Sequence, residues 1–289
     1  MGPEPDGAAP RRVARLVGLD SLTPAQDVAL GLALLDELGA RRGHDLVRVY
    51  RPSATAAFSR RDTLQPGFAD AVQAVREVGF TPVVRGPGGR LALYHHGSLV
   101  IDRVCSDLDP RQGIEDRFRG FGDLYVRVLR GFGLDARIGE VPGEYCPGRF
   151  SVNAAGTHKI VGTAQRLSRH GWLFSTSIVV RDADPIREGL RVAYDALDYD
   201  WDPATVGAVE QWSPGIGVRD VADALLDGMR TLGPVVPTEL SADVLARVDQ
   251  QAEQHLVPFD GSVRPRVTDG RLATAWSTSA PRRTRELAS

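Results

Sequence analysis

The chain has 289 residues, 42% of them hydrophobic and 25% charged, and a formal net charge of −2. That balance is the balance of a soluble globular protein with enough apolar side chains for a sizeable core, and it gives no electrostatic case for nucleic acid or a membrane surface as the main partner. No apolar run reaches the length of a spanning helix, and two distant cysteines make neither a disulfide framework nor a zinc site.

The opening MGPEPDGAAPRR has no apolar signal core, so a reducing cytoplasm is the expected compartment. Residues 1–12 read as a flexible tail, 13–258 as the folded domain, and 259–289 as a disordered Ser/Thr/Arg-rich tail. LTPAQDVALGLALLDELGA predicts a first helix, with Thr23 as its N-cap, Pro24 at its first position and Val28, Leu32, Leu35 and Leu38 on one face. LVRVYRPS predicts a strand, GFADAVQAVREVGF an amphipathic helix, and TPVVRG a strand entering the glycine-rich GPGGR. RLALYHHGSLVIDRV holds two β-rich runs, expected to be one strand bent or paired back on itself around His96-Gly97. IEDRFRGFGDLYVRVLRGFG predicts a longer helix despite its internal glycines. ARIGEV and RFSVNA read as strands, AAGT as a turn, and HKIVGTAQRL and WLFSTSIVV as a hairpin closed by SRHG. Helical patterns dominate beyond residue 182, the last being SADVLARVDQQAEQHL within a helical extension at 235–258. This order predicts an α+β fold in which a central mixed or antiparallel sheet is flanked by helices.

Three features carry candidate chemistry. Cys146 lies in Glu-Tyr-Cys-Pro-Gly between two predicted strands; most free cysteines are small buried hydrophobes, but this context is a loop, where a thiol can react if activated. Cys105, at the end of a strand pattern, reads as a core residue. Lys159 is the only lysine, the remaining 34 of 35 Lys+Arg being arginine. It is either a chance survivor of codon bias or a residue whose compact, deprotonatable amine arginine cannot replace. RGPGG allows close backbone approach to a ligand, or simply turns the chain; it lacks the GK[ST] of a phosphate loop. His95 and His96 are adjacent and face opposite sides of a strand, which argues against a shared metal site.

VVRGPGG, LYHHG and GTHKIVGTAQR, in that order, resemble the lipoate–protein ligase and octanoyltransferase family. Arg85, Gly88 and Gly89 match its first motif, although an expected second arginine is replaced by Gly86; Lys159, Gly162, Ala164 and Gln165 match its second. The likeness runs from about residue 20 to 235 and implies a biotin/lipoate ligase catalytic domain, akin to class II aminoacyl-tRNA synthetases. The Tyr-Cys-Pro-Gly before the lysine is most like the cysteine-dependent branch, which moves octanoyl groups between lipoyl-domain proteins. The resemblance thus implies Cys146 as nucleophile, forming an acyl thioester, and Lys159 as its cationic partner, lowering the thiol pKa and accepting a proton. Arg85, Gly88, Gly89, Tyr94, His95, Gly162, Thr163, Ala164 and Gln165 are implied as substrate-binding residues bounding a narrow tunnel. Implied partners are the H protein of glycine cleavage, E2 subunits of 2-oxoacid dehydrogenases, or acyl carrier protein. No metal or cofactor is implied, ATP and Mg entering only for the alternative of an ATP-dependent lipoate ligase. An inactive member that binds acylated lipoyl domains is the alternative of another class.

Overall fold

The computed structural model describes residues 14–17, 22–40, 45–231 and 233–258, so both predicted tails, 1–12 and 259–289, lie outside the described residues. The elements are β1 (Ala14–Val17), α1 (Pro24–Ala40), β2 (Asp45–Tyr50), β3 (Thr55–Phe58), α2 (Phe68–Glu77), β4 (Thr81–Val84), β5 (Ala92–Tyr94) and β6 (Ser98–Ser106). Then follow α3 (Ile114–Gly131), β7 (Ala136–Ile138), β8 (Val152–Ala154), β9 (His158–Leu167), β10 (Gly171–Val179), α4 (Ala183–Leu197), α5 (Val218–Arg230), β11 (Val235–Pro237) and α6 (Ala242–Ala252). No described helix is long and apolar enough to cross a membrane.

The strands form two sheets rather than the single one expected. An eight-stranded sheet runs β11-β1-β2-β6-β10-β9-β8-β7, and a three-stranded sheet runs β4-β3-β5. The large sheet is mixed, parallel across β11, β1 and β2 and antiparallel beyond. The hairpin closed by SRHG is present, with Leu167 opposite Trp172.

The bend at His96-Gly97 is not a hairpin. β5 pairs with β3 in the small sheet, whereas β6 pairs with β2 and β10 in the large one, so the chain changes sheets there. Alternating apolar residues report a half-buried strand but not its partner, which is why the pattern did not separate these arrangements. His95 locks the crossing: its Nδ1 accepts the Gly97 N–H at 2.7 Å and its Nε2 lies 2.7 Å from the Asp182 carbonyl. A β-carbon on Gly97 would sit 2.5 Å from the Arg181 carbonyl oxygen, so only glycine passes this point.

Helix α1 begins as predicted, with Gln26 N–H reaching Thr23 Oγ1 at 3.4 Å and Gln26 Oε1 accepting the Thr23 N–H at 3.1 Å, a reciprocal capping box. Of the expected face Leu35 and Leu38 are buried and Val28 and Leu32 only half-buried, while Ala29, Leu30, Ala33 and Leu34 are enclosed as well. The reason is α6, whose Val244, Val248 and Ala252 join the same core cluster. A helix covered on two sides has no single apolar face to read.

The 235–258 segment is only partly helical. It opens with β11, paired to β1, and after α6 it returns to β4, where Leu256 bridges Val83 and His255 Nδ1 lies 2.7 Å from the Val84 carbonyl. It is therefore woven into the domain. Arg48, which alternation in β2 would place outside, is 1% exposed. It ion-pairs with Asp27 of α1, lies 3.9 Å from Asp102 of β6 and stacks 3.7 Å over the Tyr50 ring. Burial pushes the Asp102 carboxyl above the usual carboxylate range, against the opposing charge of Arg48.

Candidate active site

β7 and β8 pair with each other, and β8 pairs with β9, so the residues between β7 and β8 return as a loop lying against β9. Cys146 sits in this loop and Lys159 near the start of β9. The twelve residues between them span the end of that loop, β8 and the Ala155-Gly156 turn.

Cys146 adopts a left-handed backbone with φ +43°, a conformation that costs an L-residue roughly 1–2 kcal/mol and must be held by its surroundings. Three contacts hold it. Its N–H donates to Tyr194 Oη at 2.9 Å, its carbonyl accepts from Lys159 Nζ at 2.8 Å, and its Sγ accepts the Arg90 N–H at 3.1 Å. Tyr194 is itself fixed by donating to the Leu91 carbonyl at 3.2 Å, and burial raises its phenol far above the ordinary range, so it stays protonated. The glycine-rich loop closes over the thiol. A β-carbon at Gly89, where φ is +103°, would stand 2.9 Å from Cys146 Sγ. Arg85 ties that loop down by donating to the Arg90 carbonyl at 2.8 Å.

Lys159 is 2% exposed, and three acceptors surround its ammonium: Glu144 Oε1 at 3.1 Å, the Tyr145 carbonyl at 3.0 Å and the Cys146 carbonyl at 2.8 Å. The three hydrogens are thus all donated to the cysteine loop and none is left over for a bound group. The Tyr145 ring lies 4.8 Å from Nζ. In the sequence Glu144 reads only as one of the polar neighbours of Cys146. An acidic residue beside the cysteine, in a chain with a single lysine nearby, was the signal available.

These residues border a cavity of about 540 Å³, within the usual range for small-ligand sites. Cys146, Lys159, Arg85, Gly88, Gly89, Tyr94, Gly162, Thr163, Ala164 and Gln165 all line it. Its apolar walls include Ile114 and Phe118 of α3, Phe150 and Leu167, with Phe118 and Phe150 stacked at 5.0 Å. Small residues of the β9–β10 pair (Gly162, Ala164, Ser175 and Ser177) form one wall. Two expected substrate contacts are otherwise engaged. His95 is absent from the cavity lining and serves the sheet crossing. Gln165 borders the cavity, but its amide donates to the Ile114 carbonyl and accepts from Arg117 Nε, both at 2.9 Å, so it moors the start of α3.

Solved structures share this architecture. A bi-partite lipoate protein ligase of Thermoplasma acidophilum superposes with a TM-score of 0.65 at 19% identity, over 84% of this chain and 92% of that one. The fold is that of lipoate–protein ligases. Residues 23–230 match the family model described as the lipoyl protein ligase A/B catalytic domain, and the chain belongs to that family. Among curated proteins, it is 29% identical over 146 residues to the octanoyl-[GcvH]:protein N-octanoyltransferase of Geobacillus kaustophilus, covering 50% of this chain and 51% of that protein. It is 27% identical over 175 residues to the protein of the same name from Bacillus velezensis, covering 59% and 61%. The alignments therefore span less than two thirds of these relatives' own lengths.

Proposed function

We propose that this protein transfers an octanoyl group from a carrier protein to a lysine of a lipoyl domain, by way of a thioester on Cys146. The observation that carries the reading is the three-point fixation of Cys146 beside an apolar cavity, with its sulfur facing the Arg90 N–H. In the first half-reaction the Cys146 thiolate attacks the carbonyl carbon of the donor's acyl group. The carbon–heteroatom bond to the carrier breaks, the departing carrier group takes a proton, and an octanoyl thioester remains on the enzyme. In the second, the neutral ε-amine of an acceptor lysine attacks that thioester, loses a proton, and expels the Cys146 sulfur, leaving an amide. Covalent catalysis suits two protein substrates because they need not occupy the site together.

Lys159 acts in this scheme by holding the Tyr145 and Cys146 carbonyls. The apolar walls take the alkyl chain, whose burial is worth about 0.8 kcal/mol per methylene. The names of the relatives support the H protein of glycine cleavage as donor; we take E2 lipoyl domains as the acceptors, with acyl carrier protein as the alternative donor. The setting is the cytoplasm, where a thiol nucleophile stays reduced, and neither metal nor ATP enters the reaction.

The test is to incubate the protein with octanoylated H protein in the absence of ATP and measure its intact mass. One octanoyl group should appear on Cys146 and pass to an added lipoyl domain. If no adduct forms, and the lipoyl domain is modified only with ATP and free octanoate, the protein is a ligase. Chain length offers a second check. Ala164→Leu adds about three carbons to the cavity wall, removing burial for a similar number of methylenes. Its preference for octanoyl over butyryl thioesters, measured as a ratio of kcat/KM, should fall about ten-fold or more; an unchanged ratio would show that the chain lies elsewhere.

A further inference from the structure

The loop that carries Cys146 is organised by a carboxylate that takes no part in the chemistry above. Glu144 has a fully buried side chain, 0% exposed, and accepts four hydrogens. Gly148 N–H at 3.0 Å, Ser151 Oγ–H at 2.6 Å and Lys159 Nζ at 3.1 Å meet its Oε1, and Val141 N–H at 3.1 Å meets its Oε2. Those donors bracket Cys146: Val141 precedes it, Gly148 and Ser151 follow it, and Lys159 approaches from β9. All four contacts are made by donors, so the side chain acts as an acceptor at every one of them. The same carboxylate takes one hydrogen of the ammonium, which turns the other two toward the Tyr145 and Cys146 carbonyls.

We propose that Glu144 is a positioning residue for the Cys146 nucleophile, acting through Lys159 and the 141–151 loop; this rests on the acyl-transfer reading. The left-handed backbone at Cys146 does not persist on local preference. It is sustained by contacts at its carbonyl and by closure of the loop around it, and Glu144 supports both. An amide at this position keeps the shape but has one acceptor oxygen and an NH₂ that must face donors. Losing the charge also leaves the buried Lys159 ammonium without its counter-ion.

The experiment follows octanoylation of Cys146 from a small octanoyl thioester by intact mass, alongside thermal unfolding, in the wild type, Glu144→Gln, and Glu144→Gln with Lys159→Met. Glu144→Gln should lower the maximal acylation rate about 100-fold while the thioester concentration for half-maximal rate stays unchanged. The double variant removes both buried charges together, so its unfolding temperature should recover toward the wild type, yet its acylation should stay slow. If Glu144→Gln alone fails to fold, Glu144→Asp takes its place, keeping the charge while shortening its reach to the loop donors, and a folded Glu144→Asp acylated at the wild-type rate overturns the proposal. A double variant that regains both stability and rate, or a folded Glu144→Gln acylated at the wild-type rate, overturns the proposal and leaves the acyl-transfer reading standing. If the wild type itself takes no octanoyl group, that reading fails and this one with it.

Discussion

Cys146→Ser should take up no octanoyl group from octanoylated H protein, and transfer to a lipoyl domain should fall at least ~10³-fold. A hydroxyl needs a general base beside it to act as a nucleophile, and among the described residues no imidazole lines the cavity. His95 has both ring nitrogens engaged at the Gly97 crossing, and Lys159 has its three hydrogens donated to the cysteine loop. The change should leave the fold intact, because the anchors of residue 146 to Tyr194 and Lys159 use backbone atoms. Circular dichroism and intact mass on the same sample separate lost chemistry from lost structure. A serine variant that still transfers at a wild-type rate would show that the acyl group never resides on residue 146.

Much of the scaffold was legible because it is written in long periodic segments. The amphipathic helices α2 to α6 and the β9–β10 hairpin lie where periodicity and turn residues placed them, with ends shifted by a few residues. Two short strands at one end of the large sheet were not legible. β1 and β11 have four and three residues, too few for alternation to rise above chance. Arg48 lies outside the reach of alternation for another reason: alternation assumes that a charge faces water, and here a cation and two carboxylates satisfy one another inside the core. At the site, the pairing of Cys146 with Lys159 could be foreseen from one rare residue near another. The manner of their pairing could not. The lysine meets the backbone carbonyls of the cysteine loop, and carbonyls leave no mark in a sequence; the acid at Glu144 is marked there, but its four donors meet only when the loop closes.

Lys159→Arg is the sharper test of why one lysine survives among 34 arginines. The substitution keeps the positive charge and so keeps a counter-ion for Glu144, which makes it milder for the fold than Lys159→Met, where a buried carboxylate is stranded at a cost of about 3–5 kcal/mol. Geometry is what it changes. Three acceptors converge on a single nitrogen within 3.1 Å, an arrangement an ammonium meets and a planar guanidinium, with donors fixed in a fork, does not. The guanidinium is also bulkier, and the Tyr145 ring, 4.8 Å from Nζ, stands against it on one side. Arginine must therefore push the loop outward, and displacing a nucleophile by about 1 Å can slow a reaction some 10²-fold. Lys159→Arg should thus fold with nearly wild-type thermal stability and yet acylate Cys146 about 100-fold more slowly, the deficit lying in the maximal rate and not in donor affinity. Full activity in this variant would mean that charge alone suffices, and that the lone lysine is an accident of composition.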